Sequence, residues 1–424
     1  FAPWVGALIK DITQPILLVT PVGKEKDTIT RLSRVGFDNV LGFLEGSFES
    51  WENAGKDVDT LESISADVLE DKINKNAIVF DARKPGEYAN EHIENVSNTP
   101  LDFLAQLNGL SIIDIQGQDT HRTRVITTLI HGNEPSGFNA LHQILLEKTS
   151  PVVNMRFIVC NVEAAKIRPE FSHRYLTAGQ DLNRYFSKRS DFKTEKDTIE
   201  IIQRANQIKQ AVMEVNPEAV IDLHNTSGLS PAFGVAIDQN DQTLDLISLF
   251  TNKVILTGLR VGAIMEQFFQ APIVTIECGG AGQIQSHQLA YDGLVKFATE
   301  QDIFDRHASR VEIHQHPCRV ELKPNVSVVF GDDYIPSSVV TLRLDAESLN
   351  DKITPKGEVI GWFTEDSSIP FTVKNEQGVE QVNTMFALQD NCIITKTPLQ
   401  IFMATTNVDI AINDCLFYAT VENN

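Results

Sequence analysis

The chain is 424 residues long, with 42% hydrophobic and 22% charged residues and a formal net charge of −21. That length accommodates two or three domains, each able to bury a core, and the composition is that of a globular protein. So acidic a surface excludes an extended phosphate-binding face, and no nucleic-acid partner is expected. No run approaches eighteen apolar residues, so neither a membrane span nor a membrane partner is expected. The opening "FAPWVGALIK" lacks a basic segment, so no secretory signal is expected. The five cysteines (Cys160, Cys278, Cys318, Cys392, Cys415) are odd in number and lack CxxC spacing, which points to reduced thiols and a cytoplasmic location.

In chain order the elements fall into three blocks: residues 1–105, 106–306 and 307–424. The first alternates short apolar runs ("PILLVT", "NVLGFL", "AIVFDA") with helix-like stretches such as "EKDTITRLSRVG", an α/β rhythm. Within it, "VFDARKPGEYANEHIENVSNTPL" (79–101) resembles the first half of a rhodanese domain, and "NVLGFLEGSFESWENAGKDV" (39–58) the closing helix of a preceding one. Sulfur transfer needs a thiolate nucleophile in a loop after a central strand. Thr20 and Pro21 stand where that thiol would be, and no cysteine precedes Cys160, so this block is expected to be an inactive rhodanese-like segment.

The second block carries stronger signals. "RVITTLI", "RFIVCNV", "EAVIDL" and "PIVTIE" read as buried strands, separated by long helical patterns such as "TEKDTIEIIQRANQIKQAVMEV". Apolar runs of this kind alternating with helices predict a mostly parallel, doubly wound sheet. After residue 306 short alternating segments predict a smaller, predominantly β domain.

In open α/β sheets the carboxyl ends of the strands converge on the ligand crevice. His131 and Glu134 ("HGNE") follow one strand and His224 ("DLHNT") another, and two histidines with one carboxylate make a common catalytic zinc set. Pro135 suits the first turn of the following helix. Glu277 ("IECGG"), at a third strand end, is a candidate base for a metal-activated water. Arg174, Asn183 and Arg184, in "HRYLTAGQDLNRYF", offer guanidinium groups and an amide to hold an anion or polarise a carbonyl. A plain Asp181–Arg184 surface pairing would use some of the same residues.

The ordered set HGNE…DLNR…DLHNT…ECG resembles the succinylglutamate desuccinylase/aspartoacylase family of the zinc carboxypeptidase-like superfamily, over about residues 110–420. The resemblance implies a three-layer α/β/α zinc-hydrolase domain with a smaller C-terminal β domain partly covering the site. It implies one Zn2+ per chain on His131, Glu134 and His224, with Glu277 as general base. Asn183 and Arg184 match the pair that grips the substrate carboxylate, and Arg174 the arginine before it. The implied activity is hydrolysis of a small anionic N-acylated substrate, an N-acyl amino acid or similar amide. Gln267 stands where aspartoacylases carry an arginine, and "ECGGAG" departs from their "EVGPQ" pattern, so an aspartate side chain is not the expected substrate. A metallocarboxypeptidase acting on a peptide and a non-catalytic scaffold with a remnant site remain as alternatives. "HQHPC" (His314, His316, Cys318) offers soft ligands that would share one face of a strand, with Pro317 weakening that strand; Tyr334 and Tyr418 are further site candidates from the β domain.

Overall fold

The computed structural model describes residues 11–56, 99–176, 180–187, 196–305, 311–335, 340–363 and 368–422, with Val5, Ile9 and Ser65. The chain divides into two compact units, Phe1–Ala77 and Ile78–Asn424. In the first, β1 (Ile16–Leu18) pairs in parallel with β2 (Val40–Phe43), and helices α1 (Glu25–Ser33) and α2 (Ser47–Asn53) follow the two strands. Leu18, Leu32 and Phe37 form its buried centre. The rhodanese-like stretch 79–101 lies outside the described residues except for its last three positions.

The second unit opens with helix α3 (Pro100–Gln106), capped by the Thr99 hydroxyl, which accepts from the Asp102 N–H at 3.1 Å. Phe103 on this helix stacks on Phe138 at 5.2 Å, so α3 lies with the large domain although it precedes the boundary at 105/106 expected from sequence. Then follow β3 (Ser111–Ile115), β4 (Asp119–Thr128), α4 (Ser136–Leu146), β5 (Val153–Val159), α5 (Val162–Ala165), α6 (Lys196–Met213), β6 (Ala219–Thr226) and β7 (Phe233–Ala236). Next come α7 (Asp241–Ser248), β8 (Lys253–Leu256), β9 (Ile273–Gly280), α8 (Ile284–Thr299) and β10 (Glu312–Gln315). These strands form one eight-stranded sheet in the order β10-β8-β7-β9-β6-β4-β5-β3. All neighbours are parallel except β7/β9 and β3/β5.

The sheet is covered on both faces, which is why its strands read as unbroken apolar runs. Along β6, Ala219, Ile221 and Leu223 pack with Phe138, Leu141 and Leu294 of α4 and α8, while Val220 packs with Ile208 and Val212 of α6. This period of two is a strand sandwiched between helical layers, so the fold is the three-layer α/β arrangement expected. Arg124, fully buried on β4, pairs with Glu218 at 3.1 Å and donates to the carbonyl of Glu300 at 2.9 Å just past the end of α8. The contact complements the negative end of that helix and locks the edge of the sheet remote from the strand carboxyl ends.

The remaining strands are β11 (Cys318–Leu322), β12 (Val328–Gly331), β13 (Val340–Arg343), β14 (Ile353–Thr354), β15 (Val359–Phe363), β16 (Phe371–Lys374), β17 (Phe386–Gln389), β18 (Cys392–Thr395), β19 (Leu399–Phe402) and β20 (Phe417–Val421). They form two five-stranded sheets, β14-β19-β20-β11-β16 and β12-β13-β15-β18-β17, around a common core that includes Val320, Phe371, Phe386 and Phe417. Two short helices, α9 (Val382–Met385) and α10 (Val408–Asn413), interrupt them. Strand β10, which the sequence reading groups with this β region, completes the edge of the large sheet instead. The chain leaves one sheet and enters another across His316–Pro317, so His314 and Cys318 do not share a strand face. Proline cannot donate to a ladder, and the break falls where it stands.

Candidate active site

Three neighbouring strands build the floor of the site. In the parallel register, Thr127 of β4 lies opposite Asp222 of β6, Asp222 opposite Thr275 of β9, and His224 opposite Glu277. Because side chains alternate, Asp222 and His224 project from the same face of β6, as do Thr275 and Glu277 from β9. The Thr127 hydroxyl donates to Asp222 Oδ1 at 2.7 Å and the Thr275 hydroxyl to Oδ2 at 3.2 Å. Asp222 Oδ2 in turn lies 2.9 Å from His224 Nε2. A buried polar column thus runs beneath His224 and fixes its ring.

The turn after β4 supplies the other two donors. His131 and Glu134 are 3% and 4% exposed, and His224 is 3% exposed. Gly132 between them is required sterically, since a Cβ there would stand 2.6 Å from the Ala165 nitrogen and the His173 carbonyl. Its N–H donates to the Arg174 carbonyl at 3.1 Å, tying the turn to the loop that follows β5. Pro135 stands at the N-cap position of helix α4, one residue before its first turn, and makes no side-chain cap. Asn225 joins three segments: its N–H donates to Glu134 Oε2 at 3.2 Å, its amide donates to Ser136 Oγ at 2.8 Å and to the Gly279 carbonyl at 2.9 Å.

His131, Glu134 and His224 each offer a ligand atom within 4.8 Å of the others, the single such group of three among the described residues. Both rings turn Nδ1 toward Glu134, at 2.9 Å for His131 and 2.6 Å for His224. Each holds its Nε2 against a carboxylate, 2.7 Å from Asp181 for His131 and 2.9 Å from Asp222 for His224. An ionised carboxylate only accepts, so with a cation bound each Nε2 would carry the proton and each Nδ1 would be the ligand atom. His131 Nδ1 is not aligned for a hydrogen bond with Glu134, and it and Glu277 Oε2 are buried without hydrogen-bond partners. Two imidazole nitrogens and a carboxylate converging on one point, with unpartnered buried atoms beside them, fit a divalent cation.

Without a cation, the charged groups perturb one another strongly. Burial raises the Glu134 carboxyl, but the His131, His224 and Arg174 charges outweigh it and hold it well below the usual range. Asp181 is likewise held low against burial, by His131, Arg184 and Arg174. His224 is raised well above its ordinary value because Asp222 and Glu134 overcome burial. Glu277 goes the other way: burial pushes its carboxyl up to about 7, with His224 opposing and Glu134 assisting.

Arg174 and Arg184 reach the same place from the loop after β5. Arg174 lies 2.5 Å from Glu134 and 3.6 Å from Asp181, and Arg184 3.5 Å from Asp181. Asn183 is oriented by the Ile264 N–H, which donates to its side-chain oxygen at 3.0 Å. The seven residues expected from the sequence to serve as metal ligands, base and substrate contacts all line one cavity of about 120 Å³. Its other walls mix apolar residues, Phe233, Val235, Ile255 and Met265 from the large domain and Met403 and Ile410 from the β region, with polar ones such as Thr257, Asp414 and Tyr418. Residues 121–301 match the family model of the succinylglutamate desuccinylase/aspartoacylase catalytic domain. The central domain belongs to that family.

Among solved structures, the chain is similar to a succinylglutamate desuccinylase from Vibrio parahaemolyticus, at 15% identity over 76% of this chain and 93% of that one, with a TM-score of 0.48. It is similar to the succinylglutamate desuccinylase/aspartoacylase from Rhodobacter sphaeroides at 12% identity, 74% and 89% coverage and a TM-score of 0.44. A product-bound ectoine utilization protein from Ruegeria pomeroyi matches at 15% identity, 67% and 87% coverage and a TM-score of 0.36. No curated protein matches the sequence.

Within this desuccinylase/aspartoacylase domain, sequence reasoning missed Asp222, Asn225 and the role of Asp181. Asp181 holds His131 as well as lying near Arg184. Asp222 and Asn225 flank His224 in "DLHN", and the period of two along that strand was the signal that pairs Asp222 with His224. Tyr418 lines the cavity, whereas Tyr334 is not among its lining residues. Nor is Gln267, which follows the 3-10 turn Ile264–Glu266; Met265 of that turn faces the cavity instead. The HQHPC residues do not converge: His314 packs on Phe402 at 5.0 Å, His316 is exposed beside Glu376 at 3.0 Å, and Cys318 is buried on β11. All five cysteines are free, and no described helix is long and apolar enough to cross a membrane.

Proposed function

We propose that the chain is a zinc-dependent amidohydrolase that removes an acyl group from an N-acyl amino acid or a similar small amide. The observation that carries this reading is the convergence of His131, Glu134 and His224 beside Glu277 at the carboxyl edge of one sheet. His131, Glu134 and His224 would hold the metal, and Asp181 and Asp222 would orient the two rings. When bound, zinc supplies Lewis acidity, lowering the pKa of water and polarising the amide carbonyl.

Glu277 is the general base and then the general acid. Its carboxylate takes the proton of the attacking water, and its protonated form delivers that proton to the leaving nitrogen. A carboxyl raised by burial is suited to both halves of this task near neutral pH. Arg174 would stabilise charge developing on the carbonyl oxygen, and Asn183 and Arg184 would orient the substrate. The apolar residues of the walls exclude water and strengthen each of these interactions.

The test is metal analysis of the purified wild type against His131→Ala and His224→Ala, together with hydrolysis of N-succinyl and N-acetyl amino acids and of short peptides. One zinc per wild-type chain, lost in both variants, is the expected result. Full metal content in both variants would remove the basis of the proposal. Exclusive turnover of peptides with free carboxyl termini would replace it with a metallocarboxypeptidase.

A further inference from the structure

Arg174 and Arg184, two of the three residues that the sequence assigns to an anionic substrate, already face a carboxylate of this chain. Asp414, just after helix α10 of the β region, lies 3.1 Å from Arg184 and 3.6 Å from Arg174, through different oxygens. Arg319 of β11 holds it from behind at 2.7 Å and also donates to its backbone carbonyl at 3.0 Å. The Asp414 side chain is 13% exposed and lines the same cavity as His131, His224 and Glu277.

The local charges then balance without any ligand. Arg174, Arg184 and Arg319 face Asp181, Asp414 and Glu321, the last 2.8 Å from Arg319. Glu134, at the candidate metal site, adds a fourth carboxylate 2.5 Å from Arg174. A second carboxylate arriving at this fork would meet Asp181 and Asp414 with no uncompensated guanidinium. Displacing Asp414 would break a buried ion-pair network and strand its charge, which is strongly unfavourable. Like charge at short range in a low-dielectric pocket is also how proteins reject a ligand. The rest of the wall agrees, because Phe233, Val235, Ile255, Leu259, Val261 and Met403 present hydrocarbon rather than charge.

From this we infer that Asp414 is a specificity-determining residue, occupying the carboxylate fork so that the site selects apolar N-acylated amines without a free carboxylate at that position. The inference rests on the amidohydrolase reading and narrows its substrate class. It is also the reverse of the small anionic substrate implied by the family resemblance.

Three matched probes test it: N-acetylleucinamide, with no carboxylate; N-acetylleucine, with one on the amine half; and N-succinylleucinamide, with one on the acyl half. Release of the α-amine is measured by mass spectrometry, and binding of each probe by calorimetry, for the zinc-loaded wild type and Asp414→Asn. Wild type is expected to favour N-acetylleucinamide at least tenfold in both readouts. In Asp414→Asn that ratio is expected to fall at least tenfold through tighter binding of a carboxylate probe. A merely structural role would lower all three probes together and leave the ratio unmoved. Wild-type preference for a carboxylate probe, an unchanged ratio in the variant, or no differential binding of the three probes would overturn the inference. Should the variant not fold, the wild-type preference alone decides. Absence of turnover with all probes, alongside selective binding, would sink the hydrolase reading and leave the role of Asp414 standing.

Discussion

The two walls of the cavity are made in different ways. The wall from the large sheet consists of strand ends: His224 and Glu277 sit on adjacent parallel strands in fixed register, and Asp222 threads between three strands. The wall from the β region consists of Met403, Ile410, Asp414, Cys415 and Tyr418, on turns and short elements far along the chain. The first wall is rigid because its backbone is committed to sheet hydrogen bonds. The second can change residue by residue without disturbing the sheet. On the proposed reading, chemistry sits on strand ends and selectivity on the β region, which is the division of labour this difference teaches.

The largest expected effect strikes the first wall. Glu277→Gln keeps shape and burial but cannot accept a proton, and turnover should fall by roughly 10²–10⁴-fold while metal content stays at the wild-type level. Equal activity in this variant would remove Glu277 from the chemistry and leave the sheet wall as a binding site. A smaller effect is expected from Asp222→Asn, which keeps the column beneath His224 but replaces the carboxylate that fixes its tautomer. Loss of such an outer partner costs on the order of 10–100-fold in metal affinity, measured by competition with a chromophoric chelator. An unchanged affinity would show that the His224 ring is held by packing alone.

What was legible in the sequence follows the same division. Apolar β-branched runs ending in His, Glu or Asp announce themselves, and His131, Glu134, His224 and Glu277 meet because a parallel sheet brings all its carboxyl ends to one edge. The three-layer fold was legible for the same reason: strands apolar on both faces need two helical covers. Asp222 and Asn225 were hidden in plain strings, because a polar residue inside an apolar run gains meaning only once the strand's period is applied to it. Asp414 was not legible at all. It lies 230 positions from Arg184, its neighbours in sequence carry no motif, and only tertiary folding brings them within 3.1 Å. HQHPC was misleading for the complementary reason, as the pattern spans a break between sheets.

A pH profile separates the walls further. Glu277 must be ionised to act as base, so kcat/KM should rise with pH through its pKa and level off above it. Burial sets that carboxyl at about 7, and a cation on the neighbouring ligands adds positive charge that favours ionisation, so the limb is expected at or below pH 7. Below it the rate should drop about tenfold per pH unit. Asp414 is held in its ionised form by Arg184, Arg174 and Arg319 against burial, with its carboxyl below the ordinary value, so it stays charged throughout that window. The probe preference set by Asp414 should therefore stay constant while the rate changes. A preference that moved together with the rate would mean that one group controls both.

The smallest expected effect belongs to the seam between the walls away from the cavity. Lys253 of β8 forms an ion pair with Asp351 of the β region, with side chains 23% and 18% exposed. Partly exposed pairs of this kind contribute roughly 0–1 kcal/mol, because solvent screens the attraction and two flexible side chains must be ordered. Lys253→Met keeps the aliphatic stem packed and removes the charge. It should lower the unfolding free energy measured in urea by no more than that amount and leave both turnover and probe preference at wild-type values. Asp414→Asn also removes one charge at the junction of the same two regions, yet is expected to change selectivity at least tenfold. The contrast isolates position from charge count: if Lys253→Met altered the probe preference comparably, selectivity would depend on how the β region is seated as a whole, and Asp414 would be one symptom of that seating rather than its determinant.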